Sequence, residues 1–68
     1  MNPERDVKRI VRYLLIIGRP EHKWKIGINT LTHNRVGSAL MYAEELRLVE
    51  KIDGKYAATG LARKLFRT

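Results

Sequence analysis

Apolar residues in the first quarter of the chain recur at the three- and four-residue spacing of an amphipathic helix. The segment Asn2-Pro3-Glu4 suits a helix start, because Asn can cap, Pro fits the first position and Glu complements the positive end. Gly18 and Pro20 are expected to end the helix. The apolar face of this first helix contains Val7, Ile10, Val11, Leu14 and Ile17.

The segment that follows admits two interpretations. Trp24, Ile26 and Ile28 alternate, which favours a short strand. Ile28 and Leu31 also fit a short second helix followed by a turn, and Gly27 weakens either prediction. We expect Trp24 to be a core residue.

Another helical stripe predicts a helix over residues 33–47. Thr32 is a suitable N-cap, because its hydroxyl can accept a hydrogen bond from the first turn. The buried face is expected to contain Val36, Leu40 and Ala43, flanked by Ala39 and Leu46.

Asp53-Gly54 is the strongest hairpin signal in the chain, because a type I′ turn needs positive φ at both central residues. It joins strand-forming residues 48–52 to a return strand over residues 56–58. We expect Tyr56 to pack at the base of this hairpin. The two-residue turn predicts two cross-strand pairs, Ile52 with Lys55 and Lys51 with Tyr56.

Thr59 suits the N-cap of a short final helix, with apolar Leu61, Leu65 and Phe66 and basic Arg63, Lys64 and Arg67. The element order predicts an α+β fold, mainly α. Its expected form is a winged helix-turn-helix with a three-helix core, a two-stranded wing hairpin and a short C-terminal helix. Residues 1–68 are expected to form one domain, since no repeat or linker interrupts them.

Charge narrows the functional classes. The 68 residues include 14 Lys and Arg against seven Asp and Glu, a net charge of +7. This balance is typical of nucleic-acid binding, although a solvated basic surface or an anionic membrane partner fits the same composition. The absence of cysteine excludes disulfides and Cys-based zinc sites. With no signal peptide and no bilayer-spanning apolar run, we expect a soluble cytoplasmic protein associated with the nucleoid.

Polar residues at the start of the helix over residues 33–47 suit the major groove of DNA. Arg can bind guanine bidentately, Asn can bind adenine in the same way, and helix N–H groups favour a phosphate. Glu44 and Glu45 near the other end would repel DNA, so only the front of the helix should enter. A surface helix of mixed charge is the alternative, but the hairpin that follows favours DNA. The predicted base contacts are Asn34, Arg35 and Ser38.

A second set of residues is predicted to contact the DNA backbone, which provides affinity and register without sequence information. Lysines at a hairpin tip also serve solubility and edge protection, and Tyr42 fits packing against the hairpin equally well. The basic residues between Arg5 and Arg12 fit a solvated face as well as a DNA contact. The predicted backbone contacts are Lys23, Lys25, Thr32, His33, Tyr42, Lys51 and Lys55.

Catalytic chemistry finds little support in this sequence. His22 and His33 lack a ligand-spaced partner, and the adjacent Glu44 and Glu45 point in different directions on a helix. The chain has no nucleophile elbow and no Gly-rich phosphate loop. We therefore expect no enzyme activity, no metal, no cofactor and no small-molecule ligand.

A spaced set of residues runs through the second helix, the next helix and the hairpin. Its positions are Ile26, Leu31-Thr32, Val36, Leu40, Glu45-Leu46, Leu48-Val49, Gly54-Lys55-Tyr56 and Thr59. From Trp24 to Phe66 this pattern resembles the small archaeal winged-helix DNA-binding proteins, a group of transcriptional regulators and chromosomal proteins. The resemblance implies a winged-helix fold and double-stranded DNA as partner, with the DNA face at Asn34, Arg35, Ser38 and the hairpin lysines.

Two positions depart from the family pattern. The glycine usual between the helix and the first wing strand is Arg47, which is expected to force a different turn. The glycine usual three residues beyond Thr59 is Ala62, and Gly60 comes early.

Apolar residues on the first and last helices exceed what a short monomer can easily cover. In winged-helix proteins these helices often pair across a two-fold axis, so the resemblance implies a homodimer. Two recognition helices would then lie about one turn of DNA apart, roughly 34 Å, and favour a palindromic site. The predicted dimer interface contains Tyr13, Ile16, Leu65 and Phe66.

Three functional hypotheses follow. The first is a sequence-specific transcriptional regulator, and the second is a non-specific chromosomal DNA-binding protein of the same fold. The third is a winged-helix protein-interaction module of the transcription or replication machinery. RNA binding lacks an aromatic stacking platform.

Overall fold

A computed structural model describes residues 3–66 as an α+β fold that is mainly helical, with one two-stranded antiparallel hairpin. This confirms the coarse fold class. The predicted contributions of Asn2 and Arg67 lie outside the described residues. The elements are α1 (Pro3–Ile17), α2 (Lys23–Asn29), a 3₁₀ turn (His33–Arg35), α3 (Val36–Glu45), β1 (Val49–Ile52), β2 (Lys55–Ala58) and α4 (Gly60–Leu65).

The core forms where α1 crosses α3. The predicted apolar face of α1 is confirmed: Ile10 and Val11 are fully buried, and Ile17 packs against the core from its edge. Small residues of α3 allow this close approach, since Ala39 and Ala43 are also buried. Burial of apolar surface between the two helices is the main stabilising contribution.

The segment after α1 is a helix, which decides between the two interpretations left open. Ile26 is fully buried, and Gly27 lies against α3, where an added Cβ would stand 3.3 Å from Val36 Cγ1. The expectation that Trp24 is a core residue is wrong, because its side chain lies on the outer face of α2 and is 61% exposed.

The start of α3 differs from its prediction. Thr32 is fully buried and makes no capping hydrogen bond, because its hydroxyl is paired with that of Thr30 at 3.0 Å. The chain instead passes through the 3₁₀ turn before α3 begins at Val36 and ends at Glu45. Leu46, expected beside the core, is 47% exposed.

Helices α2 and α3 end in the same way. Leu31 and Arg47 have φ of 60° and 62°, the left-handed conformation that glycine adopts most easily. After α3, the N–H of Leu48 donates to Ala43 O and that of Arg47 to Glu44 O, both at 2.9 Å, which is a Schellman motif. The expectation that Arg47 forces a different turn is therefore wrong: arginine takes the conformation itself.

The hairpin has the predicted geometry. Ile52 pairs with Lys55 and Lys51 with Tyr56, across a turn in which Asp53 and Gly54 have φ of 50° and 78°. These values are the positive angles of a type I′ turn. Tyr56 is half-buried and packs against the core as expected.

Two further contacts hold the hairpin to the helices. The backbone of Glu21, before α2, pairs with that of Tyr56 through hydrogen bonds of 2.9 and 2.8 Å. Thr59 caps α4 as predicted, accepting from the Ala62 N–H at 3.1 Å, and its hydroxyl also donates to Arg47 O at 2.7 Å. The hairpin is therefore fixed at its outer edge and at its end. Among residues 3–66, no helix is long and apolar enough to cross a membrane.

Candidate nucleic-acid interface

The start of α3 presents polar side chains to solvent. Asn34, in the 3₁₀ turn, and Ser38, one helical turn later, are both exposed. They share a shallow groove with Pro3 and Asp6 from the first turn of α1. Arg35 lines the same groove, so the structure brings all three predicted base contacts together on one open surface.

Arg35, the third predicted base contact, is held by the protein. Its Nε donates to Asp6 Oδ2 at 2.9 Å, and its Nη2 lies 3.4 Å from Asp6 Oδ1. Nη2 also donates to Leu31 O at 3.3 Å. The hydrogen bond that Arg35 donates to Asp6, together with the negative charge of Asp6, raises the pKa of Arg35. Arg35 thus joins the start of α3 to α1, with only part of its guanidinium still open to a ligand.

Asp6 is the partner that sequence analysis missed. Its side chain is only 8% exposed, although it belongs to the first turn of a predicted amphipathic helix. The sequence contains one weak indication of this pairing. Asp6 directly precedes Val7 of the apolar face, and a carboxylate that is buried at the edge of such a face needs a cation nearby.

The two residues before Asn34 differ in access. The side chain of Thr32 is fully buried, so its hydroxyl cannot reach a phosphate, and this predicted contact is withdrawn. His33 is exposed, and its φ is 44°. No side chain caps the N-terminus of the 3₁₀ turn or of α3. The positive end of this helical segment is therefore available to an anion.

Helix α2 and the residue before it expose cations and an aromatic ring. Lys23 and Lys25 are exposed, and the Lys25 ammonium lies 5.8 Å from the centre of the Trp24 ring. His22 stacks on the same ring, with centroids 6.5 Å apart and planes inclined by 18°. A cation over an aromatic face is held electrostatically, so Lys25 has a preferred position.

The two hairpin lysines that were predicted to contact the DNA backbone differ in exposure. Lys51 is exposed and lies over the ring of its cross-strand neighbour Tyr56, 5.7 Å from the ring centre. Lys55 is half-buried at the start of β2. Both lie close to the turn, where a long cationic side chain can reach outward from a rigid strand pair.

The second half of α3 exposes apolar, aromatic and acidic side chains. Met41 is 62% exposed and Tyr42 is 40% exposed, and they precede the exposed acids Glu44 and Glu45. Tyr42 can present its hydroxyl to solvent, as its predicted phosphate contact requires. The charge along α3 therefore changes in the expected direction, from neutral and basic groups at its start to carboxylates at its end.

The predicted dimer residues lie on α1 (Tyr13 and Ile16) and at the end of α4 (Leu65 and Phe66). Tyr13 is half-buried, accepts from Asn29 Nδ2 at 3.0 Å and lies 3.5 Å from a carboxylate oxygen of Glu21. Ile16 is 83% exposed and Leu65 is 66% exposed, whereas Phe66 packs against the core. One exposed aliphatic residue therefore remains on each helix, Ile16 on α1 and Leu65 on α4. The homodimer stays a prediction.

Glu21 is a buried carboxylate in the link between α1 and α2. The backbone N–H of His22 donates to it at 3.0 Å, and an Arg19 nitrogen lies 3.9 Å away. The hydrogen bond from His22, aided by the charges of Lys25, Arg19 and His22, lowers the pKa of Glu21 against the opposing effect of its burial. This carboxylate is structural, because it fixes the link that pairs with β2.

No cluster of three or more His, Asp or Glu side chains suitable for a metal ion occurs within residues 3–66. Comparison with protein-family models, with curated proteins and with solved structures gives no significant match. The function must therefore be inferred from the chain's own surface.

Proposed function

We propose that this protein is a winged-helix domain that binds double-stranded DNA. In this proposal α2, the turn after it and α3 form a helix-turn-helix, and the β1–β2 hairpin is the wing. The observation that carries it is the exposed and uncapped start of α3, whose first turn contains no acidic residue and which lies in the chain between a helix that begins with two exposed lysines and a hairpin with two lysines. A net charge of +7 supports an anionic partner.

The docking arrangement follows from helix-turn-helix geometry, in which the N-terminal residues of the second helix contact bases and the first helix crosses the backbone. Asn34 and Ser38 would face base edges, because both are exposed on one side of the helix start. Lys23 and Lys25 at the start of α2 would meet one phosphate strand. His33, Tyr42, Lys51 and Lys55 supply the remaining proposed backbone contacts.

Arg35 receives a revised role. Its pairing with a nearly buried Asp6 makes it a positioning residue that sets where α3 begins relative to α1. Direct base recognition would then depend mainly on Asn34, supported by Ser38. We infer a sequence-specific regulator with a short recognition surface.

A second candidate function has one observation in its favour. Arg is the residue that most often recognises guanine, and the Arg35 guanidinium is engaged within the protein. A surface left with lysines and small polar groups also suits a chromosomal protein that binds DNA through its phosphates. The two functions differ in their dependence on DNA sequence.

Fluorescence anisotropy against random-sequence and genomic-fragment duplexes, across a salt series, distinguishes them. A regulator retains one fragment at salt concentrations where random DNA has dissociated, whereas a chromosomal protein releases all duplexes together. Lys51→Ala and Lys55→Ala should each reduce the magnitude of the log–log salt slope by about 0.9. Lys64→Ala on α4 removes the same charge outside the proposed face and serves as the matched control.

Base contact is tested separately on the retained fragment. Asn34→Ala should cost about 1–3 kcal/mol on that fragment and little on random DNA. If Asn34→Ala and Ser38→Ala both leave every affinity unchanged, base recognition by α3 is wrong. If no duplex binds even at low salt, the DNA-binding proposal itself fails.

A further inference from the structure

A second surface, on the side of α1 and α2, has features that DNA binding does not use. We define the α1–α2 groove by Arg9, Arg12, Tyr13, Ile16 and Leu31, which line one shallow depression together with residues at the end of α2. We propose that this groove binds an acidic segment of another protein, with an aliphatic or aromatic side chain of that segment inserted between Ile16 and Leu31.

Leu31 is the first observation. Its φ is 60°, a conformation that costs a residue with a Cβ more than it costs glycine, and its side chain is 62% exposed. The backbone would prefer glycine here, and the side chain contributes little burial within the monomer. A strained residue whose side chain points into solvent suggests a use for that side chain in binding.

Ile16 is the second observation. It is 83% exposed on the outer face of α1, where Arg12 lies one turn and Arg9 about two turns before it. Ile16 and Leu31 belong to different elements, yet both line the same groove. Single exposed apolar residues are common on proteins, but two that share a concave surface provide a site for an apolar anchor.

The groove is also preorganised. Arg9 Nη1 donates to Thr30 O at 3.3 Å, which ties α1 to the end of α2. The Tyr13 hydroxyl accepts from Asn29 Nδ2 at 3.0 Å, and Asn29 Nδ2 donates to Lys25 O at 2.9 Å. Walls fixed by internal hydrogen bonds lose little freedom on binding, which favours a short ligand.

Charge complementarity selects the partner. Two arginines line the groove, and no carboxylate lines it among residues 3–66. A second copy of this chain, docked groove to groove, would bring four arginines into one interface with no lining carboxylate from either described groove to pair with them. DNA would satisfy the arginines but leave Ile16 and Leu31 without an apolar contact. A segment that combines Asp or Glu with Leu or Phe satisfies both features.

The test uses a fluorescein-labelled synthetic peptide of Glu and Asp interspersed with Leu and Phe, titrated with the full chain and followed by anisotropy. A matched peptide with Ala in place of every Leu and Phe keeps the charge. Ile16→Ser and Leu31→Gly should each weaken binding of the first peptide at least about tenfold. Leu65→Ser, which alters an exposed aliphatic residue outside the groove, should bind as the wild type does.

Leu31→Gly keeps the test independent of folding, because glycine suits the backbone at this position. Its thermal midpoint should be no lower than that of the wild type. Backbone amide shifts of ¹⁵N-labelled protein should change around Tyr13, Ile16 and Leu31 on peptide addition, and not around Ser38 and Lys51.

Four results would overturn the proposal. The first two are equal binding of the two peptides, and wild-type affinity in both groove variants. The third is a set of shifted amides shared by the peptide and duplex DNA, with each ligand displacing the other. The fourth is a wild-type dimer in sedimentation that Leu31→Gly abolishes. The last would assign the groove to a second copy of the chain. The groove proposal does not depend on DNA binding, so loss of either function leaves the other measurable.

Discussion

Replacing Arg47 by glycine should stabilise the protein. Arg47 is an exposed residue at the Schellman position after α3, with φ of 62°. A left-handed conformation costs an L-residue about 1–2 kcal/mol, while glycine loses about 0.5–1 kcal/mol more conformational free energy on folding. The difference between the two ranges is about 0–1.5 kcal/mol, and its midpoint of about 0.75 kcal/mol would raise the Tm of a chain of this size by about 3–6 °C.

Arg47→Ala is the matched control. It removes the same charge and side chain but keeps the Cβ that makes the left-handed conformation costly. Both variants retain the backbone hydrogen bonds of Arg47 with Glu44 O and Thr59 Oγ1. Urea and thermal unfolding, followed by circular dichroism, measure the difference between them. If Arg47→Gly is no more stable than Arg47→Ala, the assignment of backbone strain to this turn is refuted.

Three other substitutions test contacts that join the elements. Thr59→Ala should cost about 1 kcal/mol in urea unfolding, with Thr59→Ser near wild type because its hydroxyl keeps the cap. Glu21→Gln should lower Tm at neutral pH. Because the folded-state pKa of Glu21 lies below its ordinary value of 4.5, the difference in Tm from wild type should narrow as pH falls below that value; a constant difference would contradict this. Asp6→Asn should lower Tm and reduce the preference for one DNA fragment over random DNA. The loss of one negative charge in Asp6→Asn would by itself strengthen binding to all DNA without changing the preference for one fragment. If anisotropy shows that this preference is unchanged, the positioning role of Arg35 is contradicted.

Local signals predicted much of the fold. The spacing of apolar residues in α1 and the Asp53-Gly54 turn determine their elements with little help from the rest of the chain, and Thr59 caps α4 through atoms three residues away. Such features depend on neighbours in the sequence. They are therefore accessible without a structure.

The failures came from contacts between distant parts of the chain. The alternation of Trp24 and Ile26 suggested burial of both, but packing of Gly27 against α3 turns Trp24 outward. Thr32 has the chemistry of a cap, but the tertiary packing that buries it completely leaves its hydroxyl paired with that of Thr30, two residues away. Neither outcome follows from a pattern of neighbouring residues.

Only part of the candidate site could be predicted from the sequence. The exposure of Asn34 and Ser38 was predicted from the spacing of apolar residues over 33–47, although Asn34 lies in the 3₁₀ turn before α3. The pairing of Arg35 with Asp6 could not be predicted, because it joins residues that are 29 positions apart in the sequence. The α1–α2 groove was also hidden, since Leu31 and Ile16 are adjacent only in three dimensions.

The backbone pairing between Glu21 and Tyr56 has a consequence for how the molecule opens. The two amide protons of this bridge belong to segments far apart in the sequence, and each is bonded to the other's carbonyl. Separating the hairpin from the helices therefore exposes both at once. We expect these two amides to show the same high protection against exchange with solvent deuterium, because both are exposed by one opening that is larger than the fraying of the hairpin turn. The hairpin would then move with the helical core as one cooperative unit, and a ligand held by both would meet a rigid surface.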